Sequence, residues 1–190
     1  MVMTDCMVDI ETTGLSPDDT AIIQIGAIKF NYDTEEIGEP FSRCLSIQVG
    51  RYWDEDTRGF WMGKNRSVFD TIVARMESPE LVMRDFYQYA IRDGSLRFWA
   101  KPTSFDFPFL QSYFRSYSLP MPFHYRTARD LGTYIAARAG GVEHVDMNHV
   151  ESGGDLHDAL ADAVFQLRVL FEAKHGHFGA IDTPFTEIPS

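Results

Sequence analysis

Cysteine is scarce in this 190-residue chain: Cys6 and Cys44 stand alone, with no CxxC spacing. Two such thiols exclude a disulfide framework, and both are expected reduced and buried. Long apolar runs are also missing. No stretch approaches the roughly 20 residues of a membrane span, and the N-terminus lacks the basic-then-apolar order of a signal segment. The expectation is a soluble cytoplasmic protein with no membrane association. Basic residues are a minority, 17 Lys and Arg against 28 Asp and Glu, for a net charge of −11. That gives no support to non-specific binding of long duplex nucleic acid, which leaves a basic footprint. It fits an acidic site partly neutralised by cations, or a grip on a short piece of nucleic acid. Repeats, linkers and low-complexity tracts are absent as well. One domain is therefore expected over residues 1–176, with a Pro-containing tail at 177–190.

What is present suffices for a core: 44% of residues are hydrophobic and 14% aromatic, with 15 Phe. TDCMVDI (4–10) reads as a strand stopped by the turn-rich TTGLSPDD. Residues 20–33 and 39–49 read as two more strands, closing a meander. Residues 53–64 look irregular and aromatic. Helical spacing follows over 67–76 and, with Ser78 as cap and Pro79 in the first turn, over 78–93. A fourth strand is expected at 95–100 and a helix at 104–117. A short strand then runs into a helix over 123–140, and the strongest helical pattern spans 153–176. Strands first, then alternating helix and strand, argue for an α/β fold with a mixed five-stranded sheet and helices packed on both sides.

In open sheets of this kind sites gather at strand ends, where Asp9 and Glu11 lie. Their like parity aims both side chains at one face of the strand. Asp106 follows the fourth strand within SFDFPF, and Asp162 lies in HDALADA on the last helix. Singly, each has a plain explanation: a solvated strand end, a helix cap at Asp106, a pairing of Asp162 with Arg168 or a nearby Lys. Together, an oxygen-only cluster suits hard cations such as Mg²⁺ or Mn²⁺. Two such ions stabilise both the attacking and the leaving oxygen of a phosphodiester displacement. His157 precedes Asp162 by five residues and is placed either to take a proton from water or to be an exposed residue at the helix start.

DIETTG, then a buried strand with QIGAI, then SFDFPFL and HDALADA resemble the DEDD superfamily of 3′-to-5′ exonucleases. The match runs from Met7 to about Leu170. His157 spaced from Asp162 is similar to the subclass with a histidine base (DEDDh); the tyrosine of the other subclass would stand where this chain has Asp158. Among short members the chain most resembles the group of mycobacterial exoribonucleases and the exonuclease A of T-even phages, through Trp99-Ala100 to Phe105-Asp106. The resemblance implies a ribonuclease H-like fold, often as a homodimer. It implies that Asp9, Glu11, Asp106 and Asp162 bind two Mg²⁺ or Mn²⁺ ions and that His157 is the general base. It further implies that Leu15 wedges against the terminal bases and that backbone groups of Thr12 and Thr13 lie beside the 3′-terminal sugar. Gly14 is expected to allow the bend between them. Trp61 is either a stacking surface or a core residue. Relatives carry an Asn shortly before the second-motif aspartate, where this chain has KPTS (101–104). Arg126 and Arg129, near Asp130, hold a phosphate or a structural salt bridge.

The function expected is release of nucleoside 5′-monophosphates from single-stranded or overhanging 3′ ends, RNA before DNA. The rivals are the same chemistry on DNA and a non-catalytic binding module.

Overall fold

The computed structural model describes residues 2–141, 145–151 and 157–179. Among them, six strands form one mixed sheet in the order β4-β3-β2-β1-β5-β6. β1 (Asp5–Thr12) lies at the centre, antiparallel to β2 (Ile22–Phe30) and parallel to β5 (Arg97–Ala100). β3 (Ile37–Leu45) pairs antiparallel with β2 and parallel with the two-residue β4 (Met76–Glu77). β6 (Arg129–Asp130) adds to β5 in parallel. Every residue of β2 is buried. Its near-continuous apolar run is that of a strand covered on both faces.

Alternation along β1 divides the core. Cys6, Val8 and Ile10 face α3 (Pro79–Ile91) and α4 (Thr103–Ser116) through Phe86, Phe109, Leu110 and Tyr113. Met7 faces the other way, joining Ile28, Phe30 and Trp99 against α5 (Leu131–Arg138) and α6 (Ala159–His175). A third cluster of Ile23, Cys44, Trp61 and Ile72 lies under α1 (Glu55–Met62) and α2 (Arg66–Val73). The expected α/β layering, with helices on both faces, is present. Both cysteines are buried and free, and burial pushes the Cys44 thiol up to about 11.

Four expectations are corrected. Residues 53–64 are not irregular: Asp54 caps α1, accepting from Thr57 N at 3.0 Å, with Glu55 and Asp56 in the first turn. The helix was hard to see because Trp61 is its one buried residue. The sheet has six strands instead of five, because the chain after α2 pairs briefly with β3 before α3 starts. The strand expected from residue 123 is only Arg129–Asp130, preceded by a 3₁₀ turn at Tyr125–Thr127. The last helix starts at Ala159; residues 152–156 of the expected span, and 180–190 of the tail, lie outside the described residues.

Candidate active site

Asp9 and Glu11 share a face of β1 with Met7, the face that α6 covers. Directly across from them on β2 stand Gly26 and Gln24. These two partners seat the start of α6. A Cβ at Gly26 would lie 2.1 Å from the Ala159 carbonyl carbon and 2.3 Å from Leu160 N, so the helix backbone rests directly on the strand. Gln24 holds the same turn from both ends of its amide. Its Oε1 accepts from Ala159 N at 3.2 Å, and its Nε2 donates to Asp158 Oδ2 at 2.9 Å. Asp158 itself caps α6 through Leu160 N and Ala161 N. The first turn of α6 is thus fixed over the strand acids, and it carries Asp162.

Asp106 is 2% exposed. It does not cap α4, whose N-cap is Pro102; its Oδ1 instead accepts from Ile10 N, between Asp9 and Glu11, at 3.1 Å. Asp162 takes neither of its plain partners. Arg168 donates to the Glu151 carbonyl, and Asp162 Oδ2 accepts from His157 N at 3.1 Å. His157 adopts a left-handed backbone, φ 67°. Such a conformation in a non-glycine residue persists only where its surroundings hold it. Its ring stands edge-on to Phe60 at 4.8 Å. One ligand atom each of Glu11, His157 and Asp162 falls within 4.8 Å of the others.

The electrostatics state the same convergence. Asp9 is held well above the usual carboxylate range, first by burial and then by the charges of Asp106, Glu11 and Asp162. Glu11 is raised likewise, by burial and then by Asp162, Asp106 and Asp158. Burial also raises Asp106 and Asp162. Among the described residues no Lys or Arg forms an ion pair with any of the four. Desolvated like charges of this kind are costly unless a cation lies among them. Four carboxylates with one imidazole fit a hard divalent cation.

A cleft of about 340 Å³ opens beside Glu11, lined by Ile10, Thr12, Leu15, Phe60 and Trp61 among others. Leu15 is 78% exposed at its rim. Gly14 follows a different logic from the one expected. Its φ is not left-handed; a Cβ there would lie 2.5 Å from Thr20 Cγ2 and 2.8 Å from Asp54 Cβ, so space and not bending excludes a side chain. Thr13 is fully buried, its N–H donating to Ala21 O and its carbonyl accepting from Asp54 N. It frames the turn, and only Thr12 of the pair faces the cleft. Trp61 is 1% exposed, and its indole N–H donates to Thr12 O at 3.0 Å. That burial matches a core tryptophan pinning the end of β1; the exposed aromatic at the cleft is Phe60, at 37%. Arg126 and Arg129 have no carboxylate partner among the described residues. Arg126 Nε bonds Tyr125 Oη and Arg129 donates to backbone carbonyls, so the salt-bridge alternative is not realised.

Sequence reasoning overlooked Gly26, Gln24 and Phe60. The signal for Gly26 was available, since an isolated glycine inside an apolar strand marks a close backbone approach.

The central strand of the mixed sheet bears two of the acids, α4 a third and α6 a fourth, with the histidine just before that helix: a ribonuclease H-like fold that carries the residues of the DEDDh resemblance at one end of β1. Residues 4–173 match the 3′-5′ exoribonuclease Rv2179c-like domain, and the chain belongs to that family. Solved structures with the same fold include Escherichia coli exonuclease I in complex with a dT13 oligonucleotide. That likeness has 15% identity and a TM-score of 0.67, over 92% of this chain and 42% of that one. Product-bound exonuclease I aligns at 16% identity and TM-score 0.64, over 90% of this chain and 44% of that one. The nuclease domain of 3′hExo, a DEDDh family member bound to rAMP, aligns at 14% identity and TM-score 0.61, over 97% and 98%. The chain therefore spans less than half the length of exonuclease I. No curated protein matches it. No helix among the described residues is long and apolar enough to cross a membrane.

Proposed function

We propose that the protein is a metal-dependent 3′-to-5′ exonuclease that releases nucleoside 5′-monophosphates from short or single-stranded 3′ ends, with RNA preferred. The observation that carries this is the convergence of four carboxylates, one buried and three partly buried, and His157 beside an open cleft with an exposed leucine at its rim. Membership of an exoribonuclease family supports the choice of RNA.

Asp9, Glu11, Asp106 and Asp162 would hold two Mg²⁺ or Mn²⁺ ions. Bound there, the metal supplies positive charge to the attacking and leaving oxygens of the displacement. The chain's own groups do the rest. Leu15 and Phe60 pack the terminal nucleoside in the cleft, with Thr12 forming its wall beside the sugar and Gly14 keeping the turn between them closely packed. Trp61 supports that wall from beneath, holding Thr12 by its carbonyl. Water's oxygen bonds to the phosphorus of the last linkage as the imidazole of His157 takes the water's proton, and the bond from phosphorus to the 3′-oxygen breaks, that oxygen leaving as a 3′-hydroxyl protonated from solvent. The backbone N–H of His157, bonded to Asp162, fixes the ring's attachment point beside the acids. Residues 1–176 are read as the catalytic domain and 177–190 as a tail. A homodimer, on the resemblance alone, and a cytoplasmic location, on the composition, complete the proposal, and light scattering tests the dimer.

The test compares matched single-stranded RNA and DNA oligomers with Mn²⁺ or Mg²⁺, with and without chelator, following mononucleotides by chromatography. Metal-dependent release of 5′-monophosphates, faster from RNA, is expected. Faster release from DNA would replace RNA as the preferred substrate. Tight binding of a 3′ overhang with no monophosphate released would make the protein a binding module.

A further inference from the structure

Gln166 lies one turn beyond Asp162 on α6, so the two side chains leave the helix on the same face. It is 7% exposed. Its amide Nε2 donates to Asp9 Oδ1 at 2.7 Å. Its Oε1, by contrast, has no hydrogen-bond partner, the one such buried side-chain atom among the described residues. A buried carbonyl without a donor is destabilising, and an apolar side chain of the same shape avoids that cost. Packing therefore does not account for an amide at this position. The contact with Asp9 does.

The chemistry of that contact is specific. A lysine or arginine reaching Asp9 would set a fixed cation where a metal ion is needed. A glutamine supplies an N–H with no charge, holding the carboxylate in place while leaving its negative charge uncompensated. Asp9, Asp162 and Gln166 also share the wall of a second cleft of about 350 Å³, with Lys101, Leu131 and Phe165.

We propose that Gln166 is a positioning residue for the metal centre, fixing the orientation of the Asp9 carboxylate toward a divalent cation at the expense of its own unpartnered carbonyl. This rests on the metal site of the proposed function, but not on the reaction performed there.

The experiment uses Gln166→Leu and Gln166→Met, which keep the side-chain volume and remove both polar atoms. Mn²⁺ is titrated by calorimetry without nucleic acid, and thermal unfolding is followed in EDTA. Mn²⁺ affinity is expected to fall about 10- to 100-fold, the usual effect of losing a partner of a metal ligand. Unfolding temperature in EDTA is expected to rise, because the orphan carbonyl is gone. In hydrolysis, kcat falls at limiting Mn²⁺ and recovers toward saturation, with KM for the oligonucleotide unchanged. Wild-type Mn²⁺ affinity in both variants overturns the assignment. So does a loss of metal-free stability parallel to the loss of affinity, which makes the residue a packing element. A wild-type protein that binds Mn²⁺ yet releases no monophosphate overturns the exonuclease reading and leaves the role of Gln166 standing.

Discussion

Gly26→Ala is the smallest change that tests how the site is assembled. The new methyl would lie 2.1 Å from the Ala159 carbonyl carbon, 2.3 Å from its oxygen and 2.3 Å from Leu160 N. All three are backbone atoms, so no side chain can swing aside. Restoring ordinary contact near 3.4 Å requires α6 to retreat by about 1.3 Å. Overpacking a buried site costs roughly 1–3 kcal/mol, and the absence of any flexible neighbour puts this case at the upper end. Retreat also stretches the two Gln24 bonds to Ala159 N and Asp158, each worth about 1 kcal/mol. A displacement of this size moves Asp162 and His157 together, and a misplacement of about 1 Å is enough for a loss near 100-fold in rate. Urea unfolding, Mn²⁺ titration and hydrolysis of a short RNA read the three consequences separately. Gly59→Ala in α1 is the control: its methyl meets nothing within 4 Å, and the better helix former adds up to about 1 kcal/mol with unchanged kinetics. If Gly26→Ala keeps wild-type stability and rate, the idea that strand contact places the α6 groups is wrong.

Four further outcomes are expected. Asp106→Asn keeps an acceptor for Ile10 N but removes one charge; it should lower kcat by at least about 10³-fold while raising the unfolding temperature in EDTA, measured by single-turnover hydrolysis and calorimetry. The four raised carboxylates make the folded, metal-free chain bind more protons than the unfolded one above about pH 4. Metal-free stability should therefore fall as pH rises from 5.5 to 8, and Mn²⁺ should restore more at pH 8, because its binding has fewer protons to displace from the acids; thermal melts that rise with pH in EDTA would contradict this. Asp5 is fully buried, accepting from Arg97 and Trp99 Nε1; Asp5→Ala should cost about 3 kcal/mol in urea unfolding, with full activity per folded molecule. Leu15→Ala should leave stability within about 0.5 kcal/mol, because the side chain is exposed; its KM for a dinucleotide should rise about tenfold, near 1.4 kcal/mol of lost contact, in steady-state assays.

The sequence was most legible where periodicity and parity act over several residues. β1, β2 and α3 follow from such patterns, and so does the common face of Asp9 and Glu11. Asp106 and Asp162 could be singled out by motif, but their partners could not. Nothing local says that Asp106 meets Ile10 N, because that bond spans 96 positions. α1 was missed because only Trp61 of its eight residues is buried, leaving the Asp54 cap as the signal. β4 and β6 have two residues each and no period to detect. Trp61 itself was ambiguous for a different reason. An aromatic beside a site has the same composition whether it faces ligand or supports the wall, and only the bond from its indole N–H to Thr12 O decides.

Gly26, Gln24 and Gln166 have a common feature that explains why they escaped notice: none bears a charge, and each acts on a charged group elsewhere. Gly26 gives α6 room, Gln24 holds its first turn, and Gln166 orients Asp9. A cluster of acids destined for cations cannot be organised by fixed cations, which would satisfy the carboxylates and leave nothing for a metal to do. Neutral donors and close backbone contact are the means left. The acids thus remain electrostatically strained while geometrically fixed, and the strain is relieved by protons at low pH or by a divalent ion. On this view the metal-free protein is less stable than its packing permits, and removing either one acid or the orphan carbonyl should stabilise it while weakening Mn²⁺ binding. Opposite signs in those two measurements, for Asp106→Asn and Gln166→Leu alike, separate a site built for metal from acids that merely lie near one another.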